Sequence, residues 1–98
     1  MEKSTPHCRL GRVRELVAAG RVEFTVAARR GASQMGFGED GVYEVLMRLT
    51  TADFYKSMTT YHDHAVWQDV YRPVTRHGAV YLKLTVTDDV LVVSFKER

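Results

Sequence analysis

Apolar residues recur at Leu10, Val13, Leu16 and Val17, the spacing of one helix face, and Gly20 closes the pattern. Arg9, Arg12 and Arg14 fall on the polar side of that helix. Val22 to Thr25 reads as a short strand. Val26 to Arg30 reads as a short second helix ended by Gly31. Val42, Val45, Leu46 and Leu49 restore helical spacing and predict a third helix from about Gly41 to Leu49. Gly36-Phe37-Gly38-Glu39-Asp40-Gly41 before it has no preceding strand, no following Lys-Ser/Thr and two acids, so it reads as a loop and not a phosphate cradle.

Beyond Leu49 the period changes. Thr50, Thr51 or Asp53 caps a turn into Phe54 to Thr60, rich in aromatic and Thr residues and strand-like. A polar loop, Tyr61 to Ala65, precedes a strand from Val66 to Arg72 that Pro73 stops. Ala79 to Thr87 and Val90 to Lys96 complete the set. Helices first and strands afterwards imply an α+β fold, with a small antiparallel sheet in the C-terminal half and the N-terminal helices on one of its faces.

Asp88-Asp89 is the natural two-residue turn of the last hairpin. That turn pairs Val86 with Leu91, Leu84 with Val93 and Leu82 with Phe95 on an apolar core face. It pairs Thr85 with Val92, Lys83 with Ser94 and Tyr81 with Lys96 on a polar one.

The chain has 98 residues, a net charge of +2 and one cysteine. It is expected to be a single domain, residues 1–98, without an internal disulfide. No apolar run approaches the roughly 18–20 residues that span a bilayer. No membrane association is expected, and the polar start predicts a cytoplasmic protein. Residues 1–30 hold seven Lys/Arg against three Asp/Glu, and residues 31–98 hold seven against nine, so the basic excess sits at the front. Such a front suits a polyanion or an acidic protein. Cys8 reads as an ordinary thiol in a mobile leader.

The polar hairpin face suggests chemistry. Cutting RNA without a metal needs a base for the 2′-hydroxyl, an acid for the leaving 5′-oxygen, cations at phosphorus and groups that hold the nucleotide in line. Lysine and tyrosine can move protons where neighbours shift their pKa values. Tyr81, Lys83 and Lys96, joined by Lys56, Gln68 and Arg72 on other strands, form a candidate cluster. The plainer reading of such lysines is solubility and protection of sheet edges. His62-Asp63-His64 is too sparse for a zinc site, and His7 and His77 stand alone, so no metal site is expected. Trp67 and Gln68 alternate, with Trp67 expected in the core. Tyr55 and Lys56 should face opposite ways if their strand is regular.

Asp53-Phe-Tyr-Lys-Ser-Met-Thr-Thr-Tyr61, Trp67-Gln-Asp-Val-Tyr-Arg-Pro73, Tyr81-Leu-Lys-Leu-Thr-Val86 and Leu91-Val-Val-Ser-Phe-Lys-Glu97 resemble the signature blocks of the MqsR family of mRNA interferases, as does the opening Glu2-Lys3-x-Thr5-Pro6-His7. The resemblance runs the full length and is weakest over residues 9–50. It implies a RelE-like fold and the toxin half of a toxin–antitoxin pair. The implied activity is that of an endoribonuclease cutting mRNA at GC-containing triplets such as GCU, without ribosome, metal or cofactor. It places the catalytic residues on Lys56, Gln68, Tyr81 and Lys96, with Tyr55, Met58 and Arg72 as RNA-binding neighbours; Lys83, on the polar hairpin face, is expected to bind RNA beside them. Lys56 and Lys96 would carry phosphate charge, one with a lowered pKa. The implied partners are mRNA and an antitoxin of the MqsA type, zinc-binding and bearing a helix-turn-helix, with operator DNA reached only through that antitoxin. The alternative is a non-catalytic nucleic-acid-binding module using the same face.

Overall fold

A computed structural model describes all residues, 1–98. In chain order the elements are β1 (Glu2–Lys3), α1 (Leu10–Ala18), β2 (Val22–Phe24), α2 (Val26–Gln34), α3 (Glu39–Met47), a 3₁₀ turn (Thr51–Asp53), β3 (Phe54–Thr59), β4 (Trp67–Tyr71), β5 (Val74–Thr75), β6 (Gly78–Val86) and β7 (Val90–Glu97). The strands form one sheet in the order β1-β3-β4-β6-β7-β2, with β5 paired to β6 off that path. The fold is α+β, with the longer strands in the C-terminal half. The sheet is antiparallel except where β2 runs parallel to β7, so it is mixed. Both edge strands come from the N-terminal half.

The helices cover one face. Leu10, Val13, Leu16 and Val17 of α1, Ala28 and Ala32 of α2, and Val42, Val45 and Leu46 of α3 are buried in one cluster with Tyr71, Val80, Leu82, Leu84, Val90, Val92 and Phe95 of the sheet. α1 stops where expected, at Gly20, whose φ of 73° suits glycine. Gly31 does not end α2, which runs on to Gln34. A Cβ at Gly31 would run into the Phe95 carbonyl oxygen, so this glycine permits close approach of helix and strand. α3 begins earlier than expected, at Glu39, so Glu39 and Asp40 lie in its first turn. There they face the positive end of the helix dipole. A reciprocal cap between Thr50 and Asp53 forms the 3₁₀ turn.

The last hairpin departs from the expected register. Val86 pairs with Val90, Thr85 with Leu91 and Leu84 with Val92, leaving three residues in the turn. A bulge at Val93 then restores Lys83 with Ser94, Leu82 with Phe95 and Tyr81 with Lys96. Near the turn, then, the core-facing residues of β7 are Val90 and Val92, both fully buried, not Leu91 and Val93. Thr25 holds the bulge: its hydroxyl donates to the Val93 carbonyl at 2.7 Å and accepts the Ala28 N–H at 3.0 Å as the N-cap of α2.

The N-terminal leader is ordered as well, contrary to the mobile segment expected. β1 pairs Glu2 with Met58 and Lys3 with Ser57. The His7 and Cys8 N–H groups donate to the two oxygens of Asp69, each at 2.9 Å, and Asp69 is only 4% exposed. The anchor is therefore a buried carboxylate satisfied by backbone donors. A two-residue polar strand carries no periodicity, which is why it escaped sequence reading. Trp67 is not a core residue. It is half-buried, with the His7 ring stacked on it and the Lys3 ammonium 4.1 Å from its centre.

Candidate functional site

The face of the sheet away from the helices follows from the registers. Opposite residues share a face. Met58 pairs Gln68, Lys56 pairs Val70, Val70 pairs Lys83, Lys83 pairs Ser94, and Tyr81 pairs Lys96. Lys56, Gln68, Tyr81 and Lys96 therefore come from four adjacent strands onto one face, with Met58 and Lys83 among them. Val70 sits at the centre of this face and is fully buried. The side chains around it roof it over, as long basic residues do with their apolar stems.

Tyrosine rings organise the cations. The Tyr81 ring has two ammonium groups within reach, Lys83 Nζ at 5.7 Å and Lys96 Nζ at 5.6 Å. The Tyr55 ring lies 4.5 Å from the Arg72 guanidinium and 5.3 Å from Lys56 Nζ. These distances are within cation–π reach. Tyr55 joins the cluster because β3 is irregular there. Phe54 pairs Tyr71 and Lys56 pairs Val70, which leaves Tyr55 as an extra residue. The strict alternation that would have separated Tyr55 from Lys56 is broken by this bulge. The Arg72 N–H donates to the Asp53 carbonyl at 2.7 Å, which fixes the chain just after β4.

One further residue enters that the sequence reading did not assign to the site. Glu2 on β1 accepts a hydrogen bond and ion pair from Lys56 Nζ at 2.8 Å. The hydrogen bond to Glu2 raises the Lys56 pKa above the ordinary lysine value, against a smaller opposing effect of desolvation. The expectation of a lysine with a lowered pKa is thus reversed at Lys56. That ammonium stays charged and suits phosphate binding. The same bond lowers the Glu2 carboxyl below the usual range. The signal in the sequence was the charge complementarity of Glu2 and Lys56, invisible without strand β1.

The rest of the polar inventory lies elsewhere. His7 covers Trp67, His77 packs edge-on against Phe37 at 4.6 Å, and His62 lies beside Tyr61 in the β3–β4 connection. Cys8 is half-buried, and desolvation followed by the Asp69 charge pushes its thiol up, which disfavours the reactive thiolate. No helix is long and apolar enough to cross a membrane.

Residues 5–97 match the family model described as motility quorum-sensing regulator, toxin of MqsA. The chain is also 56% identical over 98 residues, the whole of both chains, to a protein of Escherichia coli (strain K12) named mRNA interferase toxin MqsR.

Proposed function

The chain belongs to the MqsR toxin family, and from that premise we propose that it is an endoribonuclease that cleaves mRNA as the toxin of a toxin–antitoxin pair. The cut would fall at GC-containing triplets such as GCU, without ribosome or metal. Its antitoxin would be of the MqsA type, with a zinc-binding part and a helix-turn-helix, and operator DNA would be reached only through it. The cytoplasm, where mRNA is found, is the site of action in this reading.

The observation that carries the reading is the convergence of Lys56, Gln68, Tyr81 and Lys96 on the uncovered sheet face. In the step proposed, the ribose 2′-oxygen attacks phosphorus and the bond to the 5′-oxygen breaks. The products are a 2′,3′-cyclic phosphate and a 5′-hydroxyl. Lys56 and Lys96 stabilise the charge that grows on the phosphoryl oxygens. Tyr81, with Lys83 and Lys96 beside its ring, gives its proton to the departing 5′-oxygen. Gln68 orients the nucleotide, Arg72 and Lys83 hold neighbouring phosphates, and Tyr55 and Met58 offer apolar surface to bases.

The test is incubation of the purified chain with a defined mRNA in excess chelator, followed by mapping of the ends. Discrete cuts at GC-containing triplets are expected. Binding that weakens steeply with salt but yields no cuts would replace this reading with a non-catalytic nucleic-acid-binding module. Cuts that vanish in chelator would replace it with a metal-dependent nuclease.

A further inference from the structure

We propose that Glu2 is the general base of this site: its carboxylate, 2.8 Å from the Lys56 ammonium on the uncovered face, takes the proton of the ribose 2′-hydroxyl as that oxygen attacks phosphorus. The inference rests on the endoribonuclease reading and deepens it.

The ionisable residues of the face near the cluster are Lys56, Lys83, Lys96, Tyr55, Tyr81, Arg72 and Glu2. Glu2 is the one carboxylate among them, the residue class that serves as a proton acceptor at neutral pH, and Lys56 is held more firmly protonated by its bond to Glu2. None of the four histidines lies on the strands of this face. Asp69 faces the helices, spent on the His7 and Cys8 N–H groups. Glu23 shares the uncovered side but sits on the opposite edge strand, beside Leu91. Glu2 alone combines a ready acceptor with proximity to the phosphate-binding lysine.

Its placement is firm and its carboxylate is reachable. The Met1 carbonyl accepts the Thr59 N–H at 3.0 Å, and Glu2 stands opposite Met58. The Glu2 side chain remains 59% exposed, whereas Lys56 is 26% exposed. Chemistry supplies the rest. In RNA the 2′-hydroxyl is next to the scissile phosphate on the same nucleotide, so a base for the one must adjoin a cation for the other. Bound phosphate would take over the Lys56 ammonium, which frees Glu2 to accept a hydrogen bond from the 2′-hydroxyl. The proton then passes to Glu2, the 2′-oxygen bonds to phosphorus, and the 5′-oxygen leaves with the proton of Tyr81. Glu2 afterwards loses its proton to water and Tyr81 regains one from water, so the cycle closes without another reactant.

The groups facing Glu2 are Lys56 from β3 and the amino terminus of its own strand; Tyr55 and Tyr81 in turn face Lys56. In the free protein Lys56, with a smaller contribution from the amino terminus, holds the Glu2 carboxyl below its usual range. The acid limb of kcat/KM, which reports the free protein, should therefore lie below the ordinary carboxylate range.

The experiment follows cleavage of one defined RNA in chelator across pH for wild type, Glu2→Gln, Glu2→Asp and Glu2→Ala. Glu2→Gln should lower kcat by roughly 10²–10⁴-fold with little change in KM, the usual range for a lost general base, and should erase the acid limb of the pH profile. Glu2→Asp should recover part of the rate, and added formate should partly rescue Glu2→Ala. Thermal melts should stay close to wild type. Glu2→Gln cleaving as fast as wild type would overturn the assignment. Faster cleavage with a lower KM would also overturn it, by making Glu2 a carboxylate that merely competes for Lys56. A slower variant with the acid limb intact would reduce Glu2 to a group that positions Lys56. Wild type inactive in chelator would sink the metal-free cleavage reading and this inference together, whereas active wild type with an unaltered variant sinks only the latter.

Discussion

On the helix-covered side of the central hairpin, Leu82, Leu84, Val90, Val92 and Phe95 are each at most 1% exposed. On the other side of the same two strands, Tyr81, Lys83 and Ser94 are half-buried and Lys96 is exposed. The first side is joined by packing and the second by charge and rings held at cation–π distances. One side is therefore expected to set stability and the other to set rate, and substitutions should separate the two.

The largest effect should come from the charged side. Tyr81→Phe, or Lys56→Ala, is expected to slow RNA cleavage by roughly 10²-fold or more while the thermal melt barely moves. Both variants cutting at the wild-type rate would break the division. Phe95→Ala should act in the opposite way. Its ring is buried against Phe37 at 5.2 Å, so urea unfolding should show a loss of about 3–5 kcal/mol, with cleavage retained by whatever fraction stays folded. Thr25→Val tests the join between the sides. It removes the cap of α2 and the partner of the Val93 carbonyl, and should cost about 1–2 kcal/mol. A loss beyond that, with slower cleavage, would mean that the bulge has slipped.

The smallest effect at neutral pH belongs to Tyr71→Phe, because the buried Tyr71 hydroxyl has no hydrogen-bond partner. Its signature is alkaline. Desolvation, then the nearby Asp69 charge, raises the Tyr71 pKa. The folded protein thus holds that proton more tightly than the unfolded chain. The resulting stability is complete below the unfolded tyrosine value of about 10 and is lost as pH climbs above it. Tyr71→Phe should flatten that alkaline decline in a series of denaturant melts. An unchanged decline would assign it to another group.

Much of this arrangement was legible in the chain. The helix faces, the strand succession and the opposition of Tyr81 to Lys96 follow from periodicity and turn chemistry. That last pair came out correctly although the turn is one residue longer than expected, because the bulge at Val93 adds a compensating residue on β7. Sequence pattern was blind to this, since Leu91 and Val93 are as apolar as Val90 and Val92. At Gly31 the sequence is ambiguous, because a glycine signals a helix stop and a close approach with the same letter. The residue types of the candidate site were legible. Glu2, proposed here to complete it, depends on a strand too short to have a period and anchored by Asp69 from far along the sequence. Tyr55 entered through an irregularity that alternation forbids.

The extra residue at Val93 puts β7 into two different phases. Up to Val92 the even-numbered side chains look toward the helices; from Ser94 onward the odd-numbered ones do. Lys96 meets solvent because of a phase slip that no reacting group touches, clamped by a threonine whose other task is to start α2. A chain that straightened this slip without shortening the turn would drive an ammonium beneath α2 and push the Phe95 ring into water. The chemistry of the face is in that sense written into the hairpin as an offset of one.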